Sequence, residues 1–317
     1  MTDVTALGEI LIDFTPQGHN DDGNPSFVVN PGGAPGNVMV GLSSLGIKSG
    51  FIGSVGQDQF GDMLKETLRN NGVNVEGIVQ VGIPTTLAFV HIAEGGERSF
   101  SFYRKPGADM MLTKNDLNLD LISKSKVFHV GSISMTDNPV REATLVALKH
   151  AKENNIAVSY DPNLRPALWE SLHEANKWML EIMSFADIVK LSEDELEFLT
   201  GEQDIQTGVE KLNQQYNMPL LFVTLGEKGS YLFANGESVM VPGQIVHAID
   251  TTGCGDAFFA GVLYQIIKMD ALGKQLKKEE MAKILKFGNA MGGYVATKKG
   301  AISGMPSLEQ IQAFIQS

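Results

Sequence analysis

Short apolar runs occupy residues 4–13, 50–55, 126–131, 156–161, 188–191 and 220–224, each about the length of one strand. Between and after them, apolar residues recur at three- and four-residue spacing. These stretches are 37–45, 60–71 (with Leu64 and Leu68 on one face), 139–154, 172–183, 193–200, 257–269, 279–297 and 308–315. Nearly continuous strands alternating with amphipathic helices predict a parallel sheet covered by helices on both faces. Ligands of such folds sit at the carboxyl ends of the strands. Asp13, Asp161, Asn163 and Thr224 fall at or just past predicted strand ends, so the pattern directs them toward one cleft.

Two segments break the rhythm. Residues 85–93 and 98–104 alternate apolar with polar and flank Glu94-Gly-Gly-Glu97, the signal of a β-hairpin. No helix separates them, so they are expected to form an antiparallel flap on the main body. Residues 230–234 and 238–241 read as another hairpin.

Composition narrows the function. The 317 residues give room for one large α/β domain, and 43% hydrophobic with 20% charged residues is ordinary for a globular chain. A net charge of −12 argues against a nucleic-acid partner, which usually requires a basic face. No run approaches the roughly 18 uninterrupted apolar residues of a membrane span. The opening residues lack the basic and apolar regions of a signal peptide. The one cysteine, Cys254, cannot form an intramolecular disulfide, and a cytoplasmic location is expected.

The chemistry concentrates in Asp250-Thr-Thr-Gly-Cys-Gly-Asp256, which leads directly into an apolar helical run. Small residues at Gly253, Cys254 and Gly255 let backbone N–H groups turn toward one point, where the helix dipole also favours an anion. Asp256, in the first helical turn, is placed to take a proton from a hydroxyl attacking a phosphoryl group. Such help is worth roughly 10²–10⁴ in rate. Standing alone, Asp256 would read as a helix N-cap. Two glycines, two threonines and two aspartates within seven residues ask for more than a cap. There is no P-loop, no G-x-G-x-x-G, no zinc-type histidine spacing and no nucleophile elbow.

Residues 250–258 resemble the C-terminal signature of the ribokinase-like family, the phosphofructokinase B carbohydrate kinases. Gly8-Glu-Ile-Leu-Ile-Asp13, Gly32-Gly-Ala-Pro-Gly-Asn37 and Gly53-Ser-Val-Gly-Gln-Asp-Gln-Phe-Gly61 are similar to that family's N-terminal segments. The resemblance implies a three-layer α/β/α fold with a mostly parallel central sheet and a small β-sheet lid. The lid would be built from about 14–31 and 85–104 within a single domain spanning 1–317. It also implies that Asp13, Gly32, Gly33 and Asn37 hold sugar hydroxyls, alongside Asn163. Thr224, Gly226 and Gly229 resemble the loop for the ATP phosphates, with Lys190 and Ser192 nearby and Asn289 at the adenine.

The family's Asn-x-x-Glu metal motif is represented by Ser192 and Glu195, so Ser192 departs from it while Glu195 remains to organise Mg²⁺ through water. Asp250 and Thr252, with carbonyls near 298–304, are expected at a K⁺ site. Cys254 stands where the family usually has alanine, and alkylating it is expected to block the phosphate site.

Residues 97–104, 161–169 and 190–201 resemble the fructokinase branch, implying D-fructose, with Arg104 reaching in from the lid and Arg165 neutralising an anion. The same arginines would suit a 2-keto-3-deoxygluconate kinase. A non-catalytic sugar- or nucleotide-binding regulator on this fold is the reading from another class. The resemblance further implies pairing of two copies through the lid.

Overall fold

The computed structural model describes residues 2–92 and 98–316. Along the chain run β1 (Val4–Leu7), β2 (Leu11–His19), β3 (Pro25–Gly32), α1 (Ala34–Ser44), β4 (Ser49–Gly56), α2 (Gln59–Asn70), β5 (Asn74–Val81), β6 (Leu87–Ile92) and β7 (Arg98–Tyr103). Then follow α3 (Leu119–Ser123), β8 (Val127–Val130), α4 (Val140–Glu153), β9 (Ala157–Tyr160), α5 (Leu172–Met183), β10 (Ile188–Ser192), α6 (Glu193–Thr200), α7 (Ile205–Tyr216) and β11 (Leu220–Thr224). The chain closes with β12 (Ser230–Ala234), β13 (Glu237–Val241), α8 (Cys254–Lys268), α9 (Lys278–Ala296), α10 (Ala301–Gly304) and α11 (Leu308–Gln316).

Among the described residues, nine strands form one sheet in the order β13-β12-β11-β10-β9-β8-β1-β4-β5. Its pairings are parallel except at the β11–β12–β13 edge, where the second expected hairpin adds two antiparallel strands. Side chains on a strand alternate between faces, and here both faces are apolar. Leu220 and Phe222 enter the core beneath α1, α8 and α9, while Leu221 and Val223 enter the core beneath α4 to α7. The ribokinase-like α/β architecture, a mostly parallel large sheet with a smaller separate one, is therefore present.

The smaller sheet, β3-β2-β6-β7, corrects two expectations. The 4–13 run is not one strand: it breaks at Gly8-Glu9-Ile10, leaving β1 in the large sheet and carrying Asp13 in β2 of the small one. Asp13 thus reaches its place from the small sheet, not from a large-sheet strand end. Nor is the small sheet wholly antiparallel, because β2 and β6 pair in parallel (Asp13 opposite Ala88) while β6 and β7 are antiparallel. The turn at Glu94-Gly-Gly-Glu97 lies outside the described residues.

Cross-strand partners share a face, so Asp13, Ala88 and Phe102 line one side of this sheet. The other side carries a ring cluster in which Phe14 stacks on Phe89 at 4.7 Å, with Phe27 and Tyr103 edge-on to Phe89.

Candidate active site

The loop before α8 takes its shape from glycine. Gly253 caps the helix with φ 78°, and a Cβ there would stand 2.5 Å from the Ala301 Cβ. Both the left-handed backbone and the contact exclude larger residues. The N–H of Cys254 closes a turn onto the Thr251 carbonyl at 3.3 Å, next to the first turn of α8. Asp250 ties this loop to the 298–304 segment: its carboxylate accepts from the N–H groups of Thr252 (2.8 Å) and Gly300 (3.0 Å).

Asp256 is not the cap. It lies inside the first turn, buried, and its Oδ2 accepts a 2.7 Å hydrogen bond from Asn37 Nδ2 on α1. Burial pushes its carboxyl above the usual range, opposed by the Asn37 bond and then by the charges of Lys190 and Arg165. Asp13 belongs to the same group. Burial raises it to about 7, with Arg165 acting against the rise and Asp256 adding to it. Asp13, Asn37, Arg165 and Asp256 are therefore brought together from the small sheet, α1, the loop after β9, and α8.

The glycine pair has separate tasks. Gly32 lies directly beside the Asp13 carboxylate and leaves no room for a side chain, while Gly33, at φ 118°, packs on the Glu9 carbonyl and starts α1. Asn163 adopts the left-handed backbone at φ 51°, which asparagine tolerates well. Across this cleft the Arg165 guanidinium lies 5.8 Å from the centre of the Phe100 ring on β7.

On the other side of the loop is a cavity of about 740 Å³, within the ordinary range for a ligand site. Thr224, Gly226, Gly229 and Asn289 line it, together with Cys254 and Gly255. Its wall also includes Ile245, Val246, Phe258 and Gly292, which the sequence reading missed. Asn289 is held by Ser230 Oγ and the carbonyls of Val241 and Pro242.

Several expected residues have other duties. Lys190 and Ser192 are outside that lining. Ser192 is the N-cap of α6 and forms a capping box with Glu195. The Glu195 oxygens accept from the N–H groups of Ser192 (2.8 Å) and Leu164 (2.7 Å). Lys190 sits 3.0 Å from both oxygens of Asp161. Arg104 does not extend as a free cation: its Nε meets Asp109 at 2.7 Å, and its other nitrogens donate to Thr136 and the Ile133 carbonyl. It fastens the foot of the small sheet instead. Asp58, in the 53–61 segment, caps α2 and also receives the N–H and hydroxyl of Thr85, bracing the entry to β6.

Glu9 was missed. Its Oε1 accepts the first N–H of α1, from Ala34, at 3.1 Å, and burial raises its carboxyl to about 7. The signal was present: a carboxylate inside an otherwise apolar run needs a partner.

The chain matches the model of the pfkB family carbohydrate kinases over residues 1–308. It is 45% identical over 317 residues to fructokinase-1 of Oryza sativa subsp. japonica, covering 99% of this chain and 98% of that protein. Among solved structures it is similar to fructokinase from Xylella fastidiosa with bound ATP (TM-score 0.90, 33% identity, 100% of this chain and 99% of that one). It is equally similar to a double mutant of Vibrio cholerae O395 fructokinase with fructose, ADP and potassium bound (TM-score 0.89, 34% identity, 99% and 98%). With a buried carboxylate at the head of α8, a polar cleft on one side and a cavity on the other, this chain belongs to the pfkB family of carbohydrate kinases.

Proposed function

We propose that this protein is a fructokinase, transferring the γ-phosphoryl group of ATP to the carbon-6 hydroxyl of D-fructose. The observation that carries the reading is the position of Asp256. Its side chain joins Asn37, Asp13 and Arg165, while its neighbours Cys254 and Gly255 line the 740 Å³ cavity. Asp256 stands where a sugar hydroxyl on one side would meet a phosphoryl group from the other.

In the mechanism, Asp13 and Asn37 take sugar hydroxyls, with Asn163 at the edge of the cleft. Asp256 accepts the proton from the attacking oxygen as the new O–P bond forms and the bond to ADP breaks. Backbone N–H groups about Gly253 and Gly255 steady the transferring group. Thr224, Gly226, Gly229 and Asn289 hold the nucleotide, and the apolar Ile245 and Val246 border its base. The small sheet acts as a lid over the cleft, through Phe100 above Arg165, and excludes water.

The donors present fit a hydrated Mg²⁺. Two backbone N–H groups fix the Glu195 carboxylate, and its remaining lone pairs can accept from the ion's water shell. Such an ion supplies neutralisation of the ATP phosphates. Asp250 and Thr252, tied to the 298–304 segment, are the candidate K⁺ ligands, in keeping with the potassium in the Vibrio cholerae relative.

Fructose is favoured over a keto-acid because both arginines already face protein carboxylates: Arg104 faces Asp109, and Arg165 faces Asp13 and Asp256. A neutral sugar leaves those pairings intact. The presence of Asp256, Gly253 and Gly255 together speaks against a non-catalytic regulator. ATP supply and the single Cys254 favour the cytosol, and no described helix is long and apolar enough to cross a membrane. The outward aromatic face of the small sheet is the surface through which two copies would pair.

Asp256→Asn tests the assignment. Turnover is expected to fall about 10²–10⁴-fold while fructose and ATP still bind by calorimetry. Near-normal kcat in that variant would refute the role of Asp256.

A further inference from the structure

We infer that Lys190 is a positioning residue for phosphoryl transfer: its ammonium lies beneath Gly255 and keeps the Asp256 carboxylate charged and able to accept a proton. The inference rests on the reading of Asp256 as the base. The geometry begins with β10, whose buried Lys190 points into the protein instead of toward the nucleotide cavity. Nζ is 3.0 Å from both oxygens of Asp161, just past the end of β9. The same nitrogen is 3.2 Å from where a Cβ on Gly255 would stand. The ammonium is therefore packed against the underside of the glycine loop that leads into α8.

Each charged group around this ammonium is accounted for. Asp161, Glu195 and Asp256 all act on Lys190. Burial works against its charge, but the three carboxylates outweigh burial and hold it above the ordinary lysine range. His129, on β8, stays neutral: burial first, and Lys190 second, lower it to about 3. Around Asp256 stand Asn37, Lys190 and Arg165, with Asp13 and Asp161 opposing them.

A general base buried this deeply would hold its own proton near neutral pH unless positive charge were close by. Arg165 lies beside the small-sheet residue Phe100. Lys190 is built into the floor of the large sheet and supplies its charge whatever the small sheet does. A positive charge at this point also favours the anion that the loop is shaped to receive.

The test uses Lys190→Met and the double variant Lys190→Met with Asp161→Asn, which removes both charges and leaves no buried carboxylate without its partner. Two readouts are taken on the full chain. One is the titration of Asp256 by ¹³C-carboxylate NMR without ligands, assigned with Asp256→Asn. The other is the pH dependence of kcat/KM with fructose and Mg·ATP. Removing a positive charge raises the carboxylate's pKa. The NMR midpoint and the acid limb are therefore expected to move up by about one pH unit in Lys190→Met, and by less in the double variant, where loss of the opposing Asp161 charge acts the other way. Activity at mildly acidic pH then falls about tenfold and recovers as pH rises, with KM for ATP little changed. An unmoved Asp256 midpoint in folded Lys190→Met, or a double-variant midpoint no higher than that of Asp161→Asn alone, overturns the inference, as does a large rise in KM for ATP with no change in the pH profile. A moved midpoint in a protein whose wild type does not phosphorylate fructose leaves Lys190 in this role and removes the fructose assignment alone.

Discussion

Gly253 shows how much one residue can decide. At φ 78°, with Ala301 2.5 Å from where its Cβ would be, the position combines a conformation costing other residues about 1–2 kcal/mol with a steric overlap. Gly253→Ala is expected to lower stability by at least that much in urea unfolding and to depress kcat. A variant as stable and active as the wild type would contradict the account of this loop. Much of the site was legible at this scale because glycines, carboxylates and an amide at close spacing restrict the chemistry available. Asp256 lies in the first turn of α8 beside Asn37, and Thr224, Gly226 and Gly229 lie together at one cavity, whereas Asp13 comes from the small sheet. Lys190 and Arg104 were read as ligand contacts, but their polar groups meet protein carboxylates, Asp161 and Asp109. A charged residue does not announce whether its partner is a ligand or a buried carboxylate.

Element by element, most long helices and the central strands of the large sheet follow the hydrophobic pattern, being amphipathic or wholly apolar over their own length. The break at Gly8-Glu9-Ile10 was invisible because its flanks are equally apolar, and the change of sheet depends on Glu9 finding the N-terminus of α1 across a gap of 25 residues. β5 was missed because Glu76, Gly77 and Gln80 interrupt its apolar face at the sheet edge. α7 was missed because Val209 and Leu212, in their correct spacing, are outnumbered by polar residues. The small sheet leaves Phe27 43% and Tyr103 67% exposed on its outward face, an apolar surface that calls for a partner. Sedimentation is expected to give a dimer for the wild type and a monomer for Phe27→Glu. A monomeric wild type would remove the proposed pairing.

For the whole molecule, buried carboxylates link stability to pH. Glu9 is raised from 4.5 to about 7 chiefly by burial. The folded state therefore binds its proton more tightly than the unfolded chain does. Stability from this group is complete below about pH 4.5 and is lost as pH rises toward 7, by up to about 1.4 kcal/mol per pH unit. Asp13, also raised to about 7, acts in the same direction. The ligand-free protein is thus expected to lose Tm between pH 5 and 7, and Glu9→Gln to flatten that slope. Equal Tm slopes over this window in the wild type and Glu9→Gln would show that Glu9 is ionised at no cost.

The measurement that bears most directly on the function is ADP release with Mg·ATP across fructose, 2-keto-3-deoxygluconate, ribose, glucose, fructose 6-phosphate and a nucleoside. The account predicts the highest kcat/KM on fructose, lowered about 10²–10⁴-fold in Asp256→Asn. Preference for the keto-acid would contradict the pairing of Arg104 and Arg165 with protein carboxylates, and no turnover on any sugar would contradict the assignment of Asp256 as a catalytic base.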